Sequence, residues 1–176
     1  MTKLRLILWA MVVAICSLRG SAAAEPIDTT LCELVGNPAA FSGKMVRVRA
    51  QVKTGFEVAV ILAECDHKGV AVALYYPDFV RDSDRPDFGL QEDENFKHFE
   101  QALSKFGWGL QIGPPPKPPE GRVFATLVGR FDGPDKLTVT DKTGKTVVRK
   151  GYGYTPSMLY PTRLILKSVS DVTISK

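Results

Sequence analysis

The sequence predicts a small, mainly β domain with a few helices. Residues 46–53 alternate strictly between apolar and polar side chains, as a strand does when one of its faces is buried. Further short apolar stretches follow, separated by glycine, proline or charged residues. Only one long segment has its apolar residues at helical spacing. We therefore expect strands to form the body of the domain and one long helix to pack against them.

The first 24 residues predict a secretory signal peptide, because Lys3 and Arg5 precede an apolar run and the segment ends in small residues at Ala24. We expect cleavage after Ala24, which leaves a single domain over residues 25–176. Cleavage removes three basic residues and no acidic one, so the formal charge falls from +4 to +1. A charge this small argues against a nucleic-acid partner. No later segment is apolar enough to predict a membrane span, so we expect a periplasmic or secreted protein.

Two cysteines remain in the expected mature chain, Cys32 and Cys65, because Cys16 belongs to the signal segment. In an oxidising compartment an even pair of cysteines predicts a disulfide. Two buried free thiols are the alternative. A metal site is not expected, because two cysteines without converging histidines supply too few ligands.

The domain is expected to open with a short helix that carries Cys32. Thr30 and Glu33 have the spacing of a capping box, in which each side chain bonds the backbone of the other residue. Asn37 and Pro38 end this helix. Three strands joined by tight turns, including one at Gly55, should follow as an antiparallel meander. They are expected at residues 45–53, 58–62 and 70–76.

An acidic, irregular segment at residues 78–94 leads into the long amphipathic helix, whose apolar face includes Phe96, Phe99 and Phe106. Gly107 is expected to end the helix. Residues 113–121 contain five prolines and should form a stiff, extended linker.

A fourth strand is predicted at residues 123–131, with a bulge or a close backbone approach at Gly129. A long insertion follows and contains a hairpin of residues 137–140 with 146–149. The last strand is predicted from residue 163 to 167, with a continuation to 174.

This order of elements predicts a five-stranded barrel of the OB-fold type, with a helix between strands 3 and 4 and an insertion between strands 4 and 5. The phenylalanine-rich face of the helix would then close the open end of the barrel. An SH3-like barrel with insertions is one alternative. A sandwich that counts the extra hairpin among its strands is another.

Two stretches of the sequence carry motifs that can be compared with those of a known family. The first, residues 31–65, contains Leu-Cys-Glu-Leu, Asn-Pro, Phe-Ser-Gly-Lys and Val-Arg-Val-Arg-Ala, and it closes with Glu-Cys-Asp. The second joins Gly-Tyr-Gly-Tyr at residues 151–154 to Tyr-Pro-Thr-Arg-Leu-Ile-Leu-Lys-Ser-Val-Ser-Asp-Val at residues 160–172. Together they cover rather less than half of the mature chain. These stretches resemble a group of exported bacterial OB-fold-like proteins of unknown function. The resemblance implies the same fold and no particular activity.

Three tyrosines of the insertion, Tyr152, Tyr154 and Tyr160, are the candidate ligand-binding residues. In OB folds the loop between the fourth and fifth strands often contacts ligands, and aromatic rings there stack on bases or sugars. The alternative is that these rings pack the loop onto the barrel. We predict no cofactor and no metal site. We also predict no catalytic set, because His67 and His98 have no nucleophile at a recognisable spacing.

The favoured interpretation is therefore an exported, non-enzymatic OB-fold module that binds an unidentified ligand or protein of the cell envelope. The alternative is a cell-envelope hydrolase of glycans or phosphoesters that uses carboxylates of the acidic segment, with Asp82 and Asp84 as the candidates. A purely structural role in an envelope assembly is a third hypothesis.

Overall fold

The computed structural model describes residues 25–54, 59–106, 121–134, 136–140, 144, 146–152 and 160–175. The predicted signal peptide and the predicted turn at Gly55 lie outside this part of the chain. The end of the long helix at Gly107 and nearly all of the proline-rich linker also lie outside it. In the part described, no helix is long and apolar enough to cross a membrane.

The chain is mainly β, as predicted. The described residues form three helices, α1 (Leu31–Gly36), α2 (Pro38–Phe41) and α3 (Glu94–Phe106). The strands are β1 (Ile27–Asp28), β2 (Lys44–Thr54), β3 (Ala59–Cys65), β4 (Lys68–Tyr75), β5 (Arg122–Asp132), β6 (Lys136–Thr140), β7 (Thr146–Lys150) and β8 (Arg163–Ser175). Two short 3-10 turns, Pro77–Phe79 and Asp82–Asp84, lie between β4 and α3.

Five long strands form a sheet that closes on itself as a ring. β2, β3 and β4 are an antiparallel meander, as predicted. The first residues of β8 pair in parallel with the end of β4, and β8 is antiparallel to β5. β5 then pairs with β2 along almost its whole length, which returns the sheet to its first long strand. The predicted hairpin of β6 and β7 forms a separate two-stranded sheet.

The alternation in β2 has the predicted consequence. Val46, Val48, Ala50 and Val52 are buried on one face of the strand, and the residues between them are partly or fully exposed. Matching apolar residues of the other ring strands face the same interior and form one apolar cluster. Burial of this cluster is the main favourable contribution to folding.

Helix α3 places its apolar face against this cluster. Phe99, Ala102 and Leu103 are buried, and Phe96 and Phe106 pack at its border. The spacing of these residues puts them on one side of the helix, so the amphipathic pattern in the sequence predicted both the helix and its buried face.

Helix α1 begins with the predicted capping box. The Thr30 hydroxyl accepts a hydrogen bond from the Glu33 amide, and the Glu33 carboxylate accepts one from the Thr30 amide. The bonds that the Glu33 carboxylate accepts from the Thr30 amide and from the Thr29 hydroxyl lower the pKa of Glu33. The helix ends at Gly36, and Pro38 then begins a second helical turn, α2, which the sequence analysis did not predict.

The predicted disulfide joins α1 to the end of β3. The Sγ atoms of Cys32 and Cys65 lie 2.02 Å apart. The bond closes a loop with a sequence separation of 33 residues, and this loop contains the whole of β2. The disulfide therefore fixes α1 to the ring of strands at Cys65, a residue distant from the helix in sequence.

Replacing both cysteines by serine is expected to lower the free energy of unfolding by about 3–4 kcal/mol, because the unfolded chain regains the entropy that the closed loop removes. Urea unfolding of the oxidised wild-type protein and of the Cys32→Ser/Cys65→Ser double variant measures this difference. A loss below about 1 kcal/mol would show that the crosslink contributes little to stability.

Strand β1 is a further element that the sequence analysis missed. Ile27 and Asp28 pair in parallel with Val46 and Arg47 of β2, and the Arg47 guanidinium binds the Asp28 carboxylate at 2.9 Å. Two residues are too few to show the alternation that predicts a strand. The pairing satisfies backbone groups of β2 that β3 does not reach.

Candidate functional site

A polar depression of about 540 Å³ lies where β5, β8 and the acidic segment meet. Its charged and aromatic lining consists of Asp84, Arg85, Arg130, Asp132, Tyr152 and Arg163. These residues come from four separate parts of the sequence. The depression is therefore a product of the tertiary fold.

Strands β5 and β8 place the central charges. Arg130 and Asp132 flank Phe131, whose side chain is buried in the apolar cluster, so alternation turns both charged residues to the opposite face. Arg163 is the first residue of β8 and is the cross-strand partner of Asp132. The pairing of the two strands thus fixes the distance between these side chains.

Asp132 holds both arginines. Its Oδ2 accepts a hydrogen bond of 2.8 Å from Arg163 Nε and lies 2.8 Å from Arg163 Nη2. Its Oδ1 accepts a 2.9 Å bond from Arg130 Nε, and Oδ2 accepts a further bond of 3.2 Å from Arg130 Nη2. The side chains of Asp132 and Arg163 are only 14% and 7% exposed, respectively. An ion pair this well buried is costly to break, because either charge alone would be left without a partner.

Asp84 joins the acidic segment to this pair. It ends the second 3-10 turn, and its Oδ2 accepts a 3.0 Å bond from Arg163 Nη2. Its backbone carbonyl accepts a bond of 2.6 Å from Arg130 Nη2. The Asp84 side chain is 34% exposed, so it lies closer to solvent than Asp132 does.

Tyr152 covers one face of the Arg163 guanidinium. The centre of its ring is 4.4 Å from Arg163 Cζ, a distance typical of a cation–π contact, and its hydroxyl donates a 2.8 Å hydrogen bond to the carbonyl of Gly133. The ring of Tyr75 lies at 5.8 Å from the same carbon. Backbone hydrogen bonds pair Tyr152 with Tyr160.

The neighbouring side chains stabilise the positive charge of the Arg163 guanidinium. Burial by itself would lower the pKa of the guanidinium, because it disfavours the charged form. The hydrogen bond and charge of Asp132 oppose this effect, and contributions from Tyr152 and Asp84 act in the same direction, so the net pKa is raised. Arg163 is thus a permanent cation beside the depression.

Two of the predicted tyrosines, Tyr152 and Tyr160, lie side by side, and Tyr154 is outside the described residues. Both described rings pack against a second apolar cluster formed by Ala73, Tyr75, Val80 and Ile165 on the outer side of the ring of strands. The insertion is therefore packed onto the sheet at this point. In addition, the Arg163 guanidinium covers one face of the Tyr152 ring.

The two candidate acids have separate positions. Asp84 lines the depression, whereas the Asp82 side chain is 96% exposed, does not line it, and contacts Arg85 at 3.5 Å. His98 is exposed on α3, and His67 is exposed in the turn between β3 and β4. Among the described residues, no three histidine, cysteine or acidic side chains are grouped so that they could hold a metal ion.

The sequence analysis missed Arg130, Asp132 and Arg163. One signal was available: the run Leu164–Leu166 is apolar on both faces, which predicts that the outer face of this strand is covered as well. A charged residue at the start of such a run must be partnered if it is buried. Nothing in the sequence identified Asp132 as that partner.

The site offers fixed cationic donors in a polar depression. Arg130 and Arg163 each have one amino group, Nη1, that makes no hydrogen bond to any residue in the described ranges. Three arginines and two aspartates line the depression, which leaves a formal excess of one positive charge. Arginine in such a setting recognises carboxylate or phosphate groups and sugar hydroxyls through directed hydrogen bonds.

Comparison with known proteins finds no matching family model, no similar curated protein and no similar solved structure. The function is therefore inferred from the geometry of the depression.

Proposed function

We propose that this protein is an exported OB-fold-like module that binds a ligand of the cell envelope at the depression beside Arg130, Arg163 and Tyr152. The observation that carries the proposal is the construction of this site. Buried ion pairs hold two arginines in fixed positions, and each arginine keeps an amino group that bonds no described residue. Preorganised donors of this kind favour binding, because little side-chain entropy is lost when a ligand arrives.

The order of the strands supports the OB-fold part of the proposal. β2, β3 and β4 are followed by α3, and β5 then returns to lie beside β2, which is a Greek-key arrangement. β8 lies between β4 and β5. An OB fold is a partly open Greek-key barrel of five strands, and its loop between the fourth and fifth strands commonly contacts the ligand. Tyr152 belongs to the corresponding segment here.

The disulfide and the first 24 residues support export. The Cys32–Cys65 bond is stable in an oxidising compartment, and the N-terminal sequence has the charge and apolar pattern of a signal peptide.

The geometry gives less support to the alternative, a hydrolase that uses Asp82 and Asp84. A glycosidase needs two carboxyl groups on opposite sides of the bond that is cleaved. Asp82 does not line the depression, and the two carboxylates that do, Asp84 and Asp132, both bind the same guanidinium. Turnover of chromogenic glycosides or phosphoesters that is lost in Asp84→Asn would nevertheless favour an enzyme over a binding module.

The binding proposal is tested with a defined panel of neutral and acidic sugars and short peptides, screened by saturation-transfer NMR against residues 25–176 of the chain. For a compound that binds, the Arg130→Gln variant is expected to bind at least about tenfold more weakly, since hydrogen bonds from a charged donor are lost.

The matched control for this test is Arg122→Gln. Arg122 is an exposed arginine on the same strand and does not line the depression, so the substitution makes the same change in charge and should leave affinity unchanged. Circular dichroism would verify that both variants are folded. An affinity that is equal in Arg130→Gln and the wild-type protein would contradict the assignment of the site.

A further inference from the structure

We infer that the group bound at this depression is a carboxylate, and that it binds by taking the place of the Asp84 side chain on Arg163. This inference rests on the proposed binding function and specifies the ligand chemistry. Asp84 then acts as an internal competitor that occupies the site until an acidic ligand displaces it.

The two edges of the Arg163 guanidinium are used unequally. The edge formed by Nε and Nη2 is fully engaged, because both nitrogens lie 2.8 Å from Asp132 Oδ2. The edge formed by Nη1 and Nη2 carries a single bond, from Nη2 to Asp84 Oδ2 at 3.0 Å. A guanidinium edge can bind a carboxylate through two parallel hydrogen bonds. An incoming carboxylate can therefore make two bonds where Asp84 makes one.

Tyr152 restricts the approach to that edge. Its ring lies over a face of the guanidinium at 4.4 Å, so a ligand cannot stack there. A planar carboxylate that lies in the plane of the guanidinium avoids the ring and reaches both nitrogens of the edge. This geometry favours a carboxylate over a stacked aromatic ligand.

Asp84 is the carboxylate that can leave. Asp132 is 14% exposed and binds both arginines from the last residue of β5, where this strand pairs with β8. Asp84 is 34% exposed and accepts one side-chain bond from Arg163 and one from the Ser83 hydroxyl. The backbone carbonyl of Asp84 remains bonded to Arg130 Nη2 at 2.6 Å. Rotation of the Asp84 side chain alone would thus open the edge while the 3-10 turn stays in place. The exchange of one carboxylate for another also preserves the local charge.

One substitution at the site is expected to raise the affinity for the ligand instead of lowering it. Asp84→Asn removes the competing charge and should increase the affinity for a small carboxylate by roughly threefold to tenfold. If Asp84 only supported the structure of the site, the same change would weaken binding or leave it unaltered. Asp78→Asn is the control, because Asp78 is an exposed acid of the same segment, does not line the depression, and gives the same change in net charge.

The experiment follows the Nε–Hε signals of Arg130 and Arg163 by NMR during titration of the folded protein. Galacturonate and N-acetylglutamate are the probes, and they distinguish an acidic sugar from an acidic peptide as the source of the carboxylate. Galacturonate methyl ester and N-acetylglutaminamide, in which both carboxylates of N-acetylglutamate are replaced by amides, are the matched neutral compounds. We expect at least one acid to shift the Arg163 signal, its neutral counterpart to bind at least about tenfold more weakly, and Asp84→Asn to bind it more tightly.

Equal binding of an acid and its neutral counterpart at the same signals would overturn the carboxylate assignment and leave the binding module intact. Unchanged or weaker binding of the acid by Asp84→Asn would overturn the displacement of Asp84. Failure of all four compounds to shift either arginine signal would overturn the inference. The proposed binding function is tested separately, with the panel of neutral and acidic sugars and short peptides described above.

Discussion

Asp132→Ala is expected to lower the free energy of unfolding by about 3–5 kcal/mol, which is the usual effect of removing one member of a buried ion pair. Asp132 supplies four contacts to two arginines, and the Arg163 side chain is only 7% exposed. Without the carboxylate, Arg163 keeps a single bond to Asp84 in a setting where water reaches it poorly. Urea unfolding followed by circular dichroism measures the change.

Two comparisons separate this effect from a general loss of surface charge. Asp82→Ala removes an acid with a 96% exposed side chain and a partner at 3.5 Å, and it should leave stability unchanged within error. The double variant Asp132→Ala/Arg163→Met should recover part of the loss, since the buried cation is gone as well. A single variant as stable as the wild-type protein would show that the ion pair contributes nothing to the fold.

Gly129→Ala is expected to be the most damaging small substitution in the ring, with a loss of more than about 4 kcal/mol or a failure to fold. A Cβ atom at this position would lie 2.2 Å from the carbonyl oxygen of Ile165 and 3.2 Å from Leu164 Cγ. The closest atom belongs to the backbone of β8, so it cannot move away by a change of rotamer. Relief of the clash requires β5 and β8 to separate where their register already shifts, between Val128 and Gly129.

Gly69→Ala is the control for this substitution. Gly69 also lies in a strand, β4, and a Cβ atom there would meet no atom within 4 Å. Its stability should equal or slightly exceed that of the wild-type protein, because alanine reduces the entropy of the unfolded chain. If both variants unfolded at the same urea concentration, the close approach of β5 and β8 at Gly129 would not be essential.

The elements that the sequence predicted correctly are those specified by local patterns. The alternation in β2, the capping box of α1 and the apolar face of α3 each depend on residues within a few positions of one another. The close approach at Gly129 was also predicted, because a glycine within a strand usually has a steric reason. The short strand β1 and the turn α2 were missed, since two to four residues carry too little pattern.

The candidate site was only partly predictable. Tyr152 and Asp84 were singled out separately, one as a ligand-stacking ring and the other as a catalytic acid. In the structure they meet at the same guanidinium, that of Arg163, which the sequence analysis did not consider. Residues 84, 132, 152 and 163 are distant in sequence, and no local pattern relates them.

The sequence by itself determined the long strands and helices and the buried faces of β2 and α3, because periodicity and caps act over short distances. It also determined which two cysteines pair, because only two remain in the expected mature chain. Only the tertiary structure decided that β5 closes the ring against β2 and that Asp132 lies opposite Arg163. The physical reason is that a buried charge is stable only beside its partner, and the closure of the ring brings that partner from a remote part of the chain.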